Sequence, residues 1–328
     1  MKRYLLNFLF LFFFVSMQSQ ELVRKSFEKM GSLFEISVVA DNLEQGNQAI
    51  LKGIAEIERI EKLISSWDKD SETSKINLMA GIRYVVVSDE LFNLIKRSIL
   101  ISELTNGAFD ISYASADKVW EFRGQSIRMP DSVSVAESVA NIGYKKVILD
   151  ENKKSVFLPR KGMKIGFGAI GKGYAADKVR ELLEREGISA GLVNASGDMT
   201  AWGTQNNGDP WSIGIINPLD KTKVFSWFPL QHQAVVTSGD YERFVLIDSV
   251  RYGHIINPKT GYPSKGILST TVFAPKAEIA DALSTAIFVM GHEVGLHLIN
   301  QLPNIEALVI TDKGKVLTSN NIKLDEDK

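Results

Sequence analysis

The stretch from Lys164 to Asp177, Lys-Ile-Gly-Phe-Gly-Ala-Ile-Gly-Lys-Gly-Tyr-Ala-Ala-Asp, constrains this chain more than any other. Four glycines, Gly166, Gly168, Gly171 and Gly173, run straight into a helical pattern. Val179, Leu182 and Leu183 continue its apolar face, and Gly187 offers a C-terminal stop. Glycine-rich turns that open onto helices present backbone N–H groups and the positive end of the helix dipole to an anion. Lys172 places a cation in the first turn, where the dipole alone favours an acid. Together these features predict a phosphate-bearing ligand.

Two familiar phosphate motifs fit this stretch only in part. Gly166, Gly168 and Gly171 satisfy G-x-G-x-x-G, but a dinucleotide fold needs a hydrophobic strand before it and an acid ending a second strand about 20 residues on. Pro159-Arg160-Lys161-Gly162 precede the stretch, and Glu184 and Glu186 fall within the following helix. Gly166 to Lys172 also satisfies G-x-x-x-x-G-K, yet Gly173 stands where a P-loop requires Ser or Thr to put a hydroxyl on magnesium. Close helix–sheet packing is the plainer use of such glycines.

A formal net charge of −1 gives no basic field for nucleic acid. The chain has no cysteine, which excludes disulfides, thiolate nucleophiles, Cys-based zinc sites and a lipid-attachment cysteine. Lys2 and Arg3 precede an apolar run from Tyr4 to Val15, followed by Ser16-Met17-Gln18-Ser19-Gln20. This reads as an export signal over residues 1–20, with a periplasmic mature chain starting near Glu21. The run is short of the ~20 apolar residues of a membrane helix, so an uncleaved inner-membrane anchor is the weaker alternative.

The remaining pattern mixes strands and helices without a regular βαβ rhythm. It predicts one α+β (mixed α/β) domain over 21–328, with mixed or antiparallel sheets flanked by helices. Phe27 to Val39 reads as a strand with Met30-Gly31 inside it. Asp41 or Asn42 then caps a helix faced by Ile50, Ile54, Ile57, Ile60 and Ile64. Ser88 caps a second helix, stopped by Asn106-Gly107, and residues 147–158 read as a hairpin. Further strands are expected at Leu192-Val193, Trp211–Ile216, Ala234–Thr237, Arg243–Ile247, Thr270–Ala274 and Ala307–Ile310. Helices are expected at Ile279–Met290 and Glu293–Gln301, and the tail from Leu324 to Lys328 is expected to fray.

Asp281 and Thr285 stand four apart on the predicted helix, so a carboxylate and a hydroxyl share one face. Both are hard oxygen donors suited to magnesium. Taken alone, the pair reads better as an Asp near a helix N-terminus and a Thr bonded back to its own helix. Three polar, Gly-containing clusters lie against strands: Asn194 to Asp198, Thr237 to Tyr241, and His254 to Gly261. Of four histidines only His254 lies in such a cluster, so acid–base work near neutral pH falls first to it, with a turn histidine as the alternative.

Taken in order, these clusters resemble the ApbE family, the exported FAD:protein FMN transferases. The resemblance runs from about Phe27 to Thr311. It comprises Met30-Gly31; Ser65-Ser66-Trp67 with Ser74 to Asn77; Thr105 to Asp110; Gly168 to Ala175; and the clusters at 194–198, 237–241, 254–261 and 280–285. None is decisive alone; their shared order is specific.

The resemblance implies magnesium-dependent transfer of the FMN half of FAD onto a Thr or Ser hydroxyl of an exported or membrane-associated acceptor flavoprotein, releasing AMP. It assigns magnesium to Asp281 and Thr285, with a group from Ser284 and the backbone carbonyl of Ala169. It assigns FAD contacts to Met30, Trp67, Ala108, Phe109, Asp110, Lys172 and Ile255. His254 becomes the base for the acceptor hydroxyl. Two positions depart from the family pattern. Gly166 stands where many members have an Asp associated with FAD, a contact for which Asp198 is the candidate replacement. Gly253 stands where some have a second His.

Two rivals share these residues: an FAD pyrophosphatase using water as acceptor, and a non-catalytic exported flavin-binding protein. The chain holds no acceptor-like Asp-x-x-Ser-Gly-Ala-Thr segment, so self-flavinylation is not expected.

Overall fold

The computed structural model describes residues 20–122, 128–240, 243–248 and 250–322. The export signal up to residue 19, Tyr241 and the tail from Leu324 lie outside these residues.

The chain opens with strands β1 (Glu21–Lys29) and β2 (Ser32–Ala40) and helices α1 (Leu43–Ile64) and α2 (Glu72–Leu78). Strand β3 (Val85–Val86), helices α3 (Asp89–Leu104) and α4 (Ser132–Ser138), and strands β4 (Ile148–Asp150) and β5 (Ser155–Phe157) follow. The glycine-rich stretch leads into α5 (Gly171–Arg185), then strands β6 (Ala190–Ala195), β7 (Asp198–Trp202), β8 (Trp211–Asn217) and β9 (Asp220–Leu230). Strands β10 (Ala234–Gly239), β11 (Phe244–Ile247), β12 (Val250–Gly253) and β13 (Ile267–Ala274) come next. Helices α6 (Ala277–Met290) and α7 (His292–Ile299) and strands β14 (Glu306–Thr311) and β15 (Val316–Thr318) complete the order.

The expected single strand from Phe27 to Val39 is a hairpin. Lys29 pairs with Ser32, leaving Met30 and Gly31 as a two-residue turn with φ of 52° and 66°. Positive φ at both central residues matches the twist of the flanking strands, which explains a glycine at the second position. Asn42 caps α1 by accepting from Gln45 N at 2.9 Å, and Ser88 caps α3 by accepting from Leu91 N.

Eight strands form one sheet in the order β1-β2-β6-β7-β10-β13-β14-β15, with every neighbouring pair antiparallel. Alternation of period two sorts its side chains. Phe34, Ile36, Val38, Val193, Val236, Val272 and Val309 enter a core with α1, α5, α6 and α7. Val39, Leu192, Ala201 and Val235 face the opposite way, under Trp211, Ile213 and Leu230 of the β8–β9 hairpin. A second core gathers Leu91, Phe92, Leu94, Ile95, Phe109 and Val156 around α3 and the β3-β5-β4 sheet.

Three helices join the two cores. Helix α1 gives Ile50 and Ile57 to the first and Ile60 and Ile64 to the second; α5 and α6 divide in the same way. Burial of one such Leu or Ile side chain contributes about 1.5–3 kcal/mol. The first turns of α5 and α6 therefore meet where the cores abut.

Candidate active site

Helix α5 begins without a side-chain cap: Ile170 occupies the cap position and offers no acceptor. The Asp281 carboxylate, reaching across from α6, accepts from Gly173 N at 3.2 Å. A cap from another helix requires the two backbones to approach closely. Indeed, a Cβ on Gly173 would lie 2.2 Å from the Ala277 carbonyl oxygen. Gly173 thus replaces the P-loop hydroxyl because α6 occupies the space.

Lys172 Nζ donates to Asp198 Oδ2 at 2.5 Å, and the Asp198 carboxyl in turn bonds to Asp281. Both acids are buried. Burial, followed by the neighbouring Asp281 charge, pushes Asp198 well above the ordinary carboxylate range, with Lys172 opposing. Burial also raises Asp281, while Lys172, the Gly173 amide and Asp198 pull it down. The two carboxyls therefore titrate as one coupled pair, which burial pushes toward the protonated form and Lys172 toward the ionised one.

The donor chemistry around Asp281 fits a hard divalent cation. Thr285 follows one turn later on α6. Among the described residues no backbone N–H donates to the Ala169 carbonyl, because Gly173 N turns to Asp281 instead. A carboxylate, a hydroxyl and an unpaired carbonyl are the oxygen types such a cation takes. Ser284 is differently engaged. Its hydroxyl donates to the Asp281 carbonyl at 2.9 Å and pairs with Ser238 Oγ at 2.7 Å, tying α6 to β10. No group of three or more His, Cys, Asp or Glu forms a metal cluster among the described residues, so the cation would need the carbonyl and hydroxyl.

The tie through Ser238 leads towards His254. Two residues on, the Asp240 Cβ lies 2.6 Å from where a Gly253 Cβ would sit. Gly253 therefore leaves no room for a second histidine beside His254. Burial pushes the Asp240 carboxyl up to about 6 despite Arg251, whose guanidinium lies 3.1 Å away. His254 Nδ1 stands 3.2 Å from the Arg243 carbonyl oxygen. A carbonyl can only accept, so this contact is a hydrogen bond when Nδ1 carries a proton, and in the neutral ring that leaves the lone pair on Nε2.

The remaining predicted residues divide into two groups. The Met30 methyl lies 3.8 Å from where a Gly171 Cβ would sit, which brings the β1–β2 turn to the start of α5. Trp67 is 82% exposed, and Lys118 Nζ lies 4.6 Å over its ring. Ser65 Oγ accepts from Trp67 N and Asp68 N, turning the chain so that the indole projects outward. Ile255 packs partly on the first core.

Ala108 and Phe109, by contrast, are buried in the second core. Asp110 accepts from Ser112 N at 2.8 Å, from Ser112 Oγ at 2.6 Å and from Tyr144 N at 3.0 Å. Both its oxygens thus hold local structure. At Gly166 a Cβ would meet the Ala114 Cβ at 2.9 Å, so Ala114 occupies the space of the family Asp. Sequence reasoning missed the roles of Ser238 and Asp240, although both lie in the polar cluster at 237–241. It also missed Lys118 and Trp120, whose only signal was an aromatic residue in a polar segment.

Comparison with known proteins identifies the family of the chain. The ApbE family model matches residues 30–309. An FAD:protein FMN transferase of Treponema pallidum is 33% identical over 282 residues, covering 81% of this chain and 78% of that protein. One of Klebsiella pneumoniae is 33% identical, covering 82% and 84%. The crystal structure of the ApbE protein of Thermotoga maritima superposes with a TM-score of 0.83 at 32% identity, covering 91% of this chain and 97% of that one. The flavin transferase ApbE of Vibrio cholerae gives 0.81 at 27% identity, covering 92% and 97%. The glycine-rich turn, the buried acid pair and the His254 hairpin therefore sit in a chain that belongs to the ApbE family.

Proposed function

We propose that this chain is a magnesium-dependent FAD:protein FMN transferase, working outside the cytoplasmic membrane on a Thr or Ser hydroxyl of an acceptor flavoprotein. The observation that carries the reading is the Lys172–Asp198–Asp281 cluster at the start of α5, tied through Ser284 to Ser238 of β10, whose neighbour Asp240 packs against Gly253 next to His254. Export is supported by the sequence of residues 1–20, and among the described residues no helix is long and apolar enough to cross a membrane.

In this reading the acceptor oxygen forms a bond to the FMN phosphorus, and the bond from that phosphorus to the AMP oxygen breaks. The hydroxyl proton passes to His254 Nε2, and AMP leaves with the bonding electron pair. The start of α5 and the Lys172 charge face the pyrophosphate. Trp67 offers an exposed indole for stacking on the flavin. Asp281, Thr285 and the Ala169 carbonyl would hold magnesium, which when bound would supply charge neutralisation at the phosphates.

The test incubates the mature protein with FAD and magnesium, with and without an acceptor carrying a flavinylation segment. Flavin fluorescence on the acceptor band after denaturing electrophoresis is the expected result. FMN released without acceptor indicates a pyrophosphatase, and unchanged FAD a binding protein. Asp281→Ala is expected to lower transfer by about 100-fold or more, in line with loss of a preorganised charge-stabilising group. The variant should keep its fold, because Lys172 retains Asp198 as partner. Full activity in that variant would sink the assignment of Asp281.

A further inference from the structure

Trp120 touches the His254 loop on both of its flanks. Its ring stacks on Tyr252, two residues before His254, with centroids 5.6 Å apart. It also makes a T-shaped contact with Tyr262, on the returning side of the loop, with centroids 5.9 Å apart, and its Nε1–H donates to the Gly261 carbonyl at 2.8 Å. The loop between is closed by Asn257 N donating to Tyr262 O at 2.9 Å and Ser264 N to Ile255 O at 2.8 Å. Lys265 Nζ also lies over the Tyr252 ring, 5.2 Å from its centroid.

The segment carrying Trp120 is itself held. Asp117 N donates to Ser138 O, at the end of α4, at 3.1 Å. The same helix closes on the loop, since Gly261, with φ of 74°, would bring a Cβ within 2.8 Å of the Val135 carbonyl oxygen. Two residues before Trp120, Lys118 lies over the exposed ring of Trp67. One short segment thus contacts the proposed flavin platform and the loop of the proposed base.

We infer that Trp120 is a positioning residue for His254, holding the loop that carries the imidazole at the distance the acceptor hydroxyl requires. The inference deepens the transferase reading and rests on it. Trp120 does not touch the reacting atoms. It acts by removing freedom from residues 252–262, and a misplacement of about 1 Å in such a support costs on the order of 10²-fold in rate.

The test is a double-mutant cycle between Trp120 and His254, read as transfer kinetics on the mature enzyme with FAD, magnesium and acceptor. Trp120→Leu is expected to lower kcat by about 10–100-fold with the FAD KM within about threefold. Trp120→Phe keeps the ring contacts and loses only the N–H donated to Gly261, so it should recover most of that loss. In a His254→Ala background, Trp120→Leu should add less than about twofold, because residues acting through one another are not additive. Losses that multiply in that background, or a raised FAD KM with kcat unchanged, would overturn the inference. If Trp120→Leu fails to fold, the cycle runs with Trp120→Phe, whose smaller loss must vanish without His254.

A readout independent of turnover separates this inference from the function it rests on. The 15N spectrum of the His254 ring, assigned by its absence in His254→Ala, should show the Nδ1-protonated tautomer in the wild type. It should show a mixture in Trp120→Leu. A wild type that transfers no FMN while the ring spectrum responds would overturn the transferase reading and keep the positioning role. Intact transfer with an unresponsive ring would do the reverse.

Discussion

A Cβ at Gly173 would lie 2.2 Å from Ala277 O and 2.9 Å from Glu278 N, both backbone atoms that no rotamer change can move. The residue that breaks the P-loop pattern is thus the one whose smallness lets α6 bring Asp281 to the start of α5. Gly173→Ala is expected to destabilise the protein by about 1–3 kcal/mol through overpacking. Urea denaturation would measure it, and the Tm should fall with it. Space also accounts for the two departures from the family pattern: Ala114 stands against Gly166, and Asp240 against Gly253. Each was visible in the sequence only as a missing side chain, because the neighbour that excludes it lies 52 or 13 positions away. The charge on Lys172 was legible, since a cation in a first helical turn runs against the dipole. Its partner Asp198 was not, since nothing in residues 194–198 indicates that β7 begins beside α5.

At the scale of elements, α6 starts with no cap of its own, as Lys276 supplies no acceptor. Asp177, one and a half turns into α5, takes that role. Its two oxygens accept from Ala277 N at 3.0 Å and Glu278 N at 2.9 Å. The exchange is mutual, for Asp281 of α6 accepts from Gly173 of α5. Burial nonetheless pushes the Asp177 carboxyl up to about 6, outweighing the two amide donors. With a folded value above the unfolded one, the folded state binds more protons between about pH 4 and 6. The contribution of Asp177 is therefore complete below that window and declines as pH rises through it. Asp177→Asn should remove this part of the slope, seen as a flatter dependence of the urea midpoint on pH from 4 to 6. At pH 7 the substitution keeps an acceptor for one amide and should cost no more than the ~1 kcal/mol of a weakened cap. Helices α1 and α3 were legible because Asn42 and Ser88 cap them locally. Neither capping exchange between α5 and α6 leaves a local pattern, and Met30-Gly31 read as strand interior because a two-residue turn hardly interrupts the apolar alternation.

For the molecule as a whole, the site lies where helices α1, α5 and α6 pass from one core to the other. Ligands that bridge such a junction stabilise both sides by mass action. FAD and magnesium together, each at about 100 times its Kd, should add on the order of 2.7 kcal/mol per independently bound ligand. A thermal melt should show a larger Tm increase with both than with either alone, reversed by EDTA; equal shifts with and without magnesium would separate the cation from flavin binding. Several determinants of this protein were written in its sequence: the apolar periods, the local caps, the glycine-rich turn at Gly166–Gly173, and the ordered motifs that carry the family resemblance. These are properties of neighbours in the chain, so composition and spacing report them. Tertiary structure alone decided that the buried Asp198 and Asp281 meet beside Lys172 and Gly173, that Asp177 caps a helix 100 residues away, and that Trp120 braces the His254 loop. The physical reason is that burial and proximity set these energies, and both arise only when distant segments pack. The glycine-rich turn supplies room and amides, while the charge that makes it a site arrives from β7 and α6.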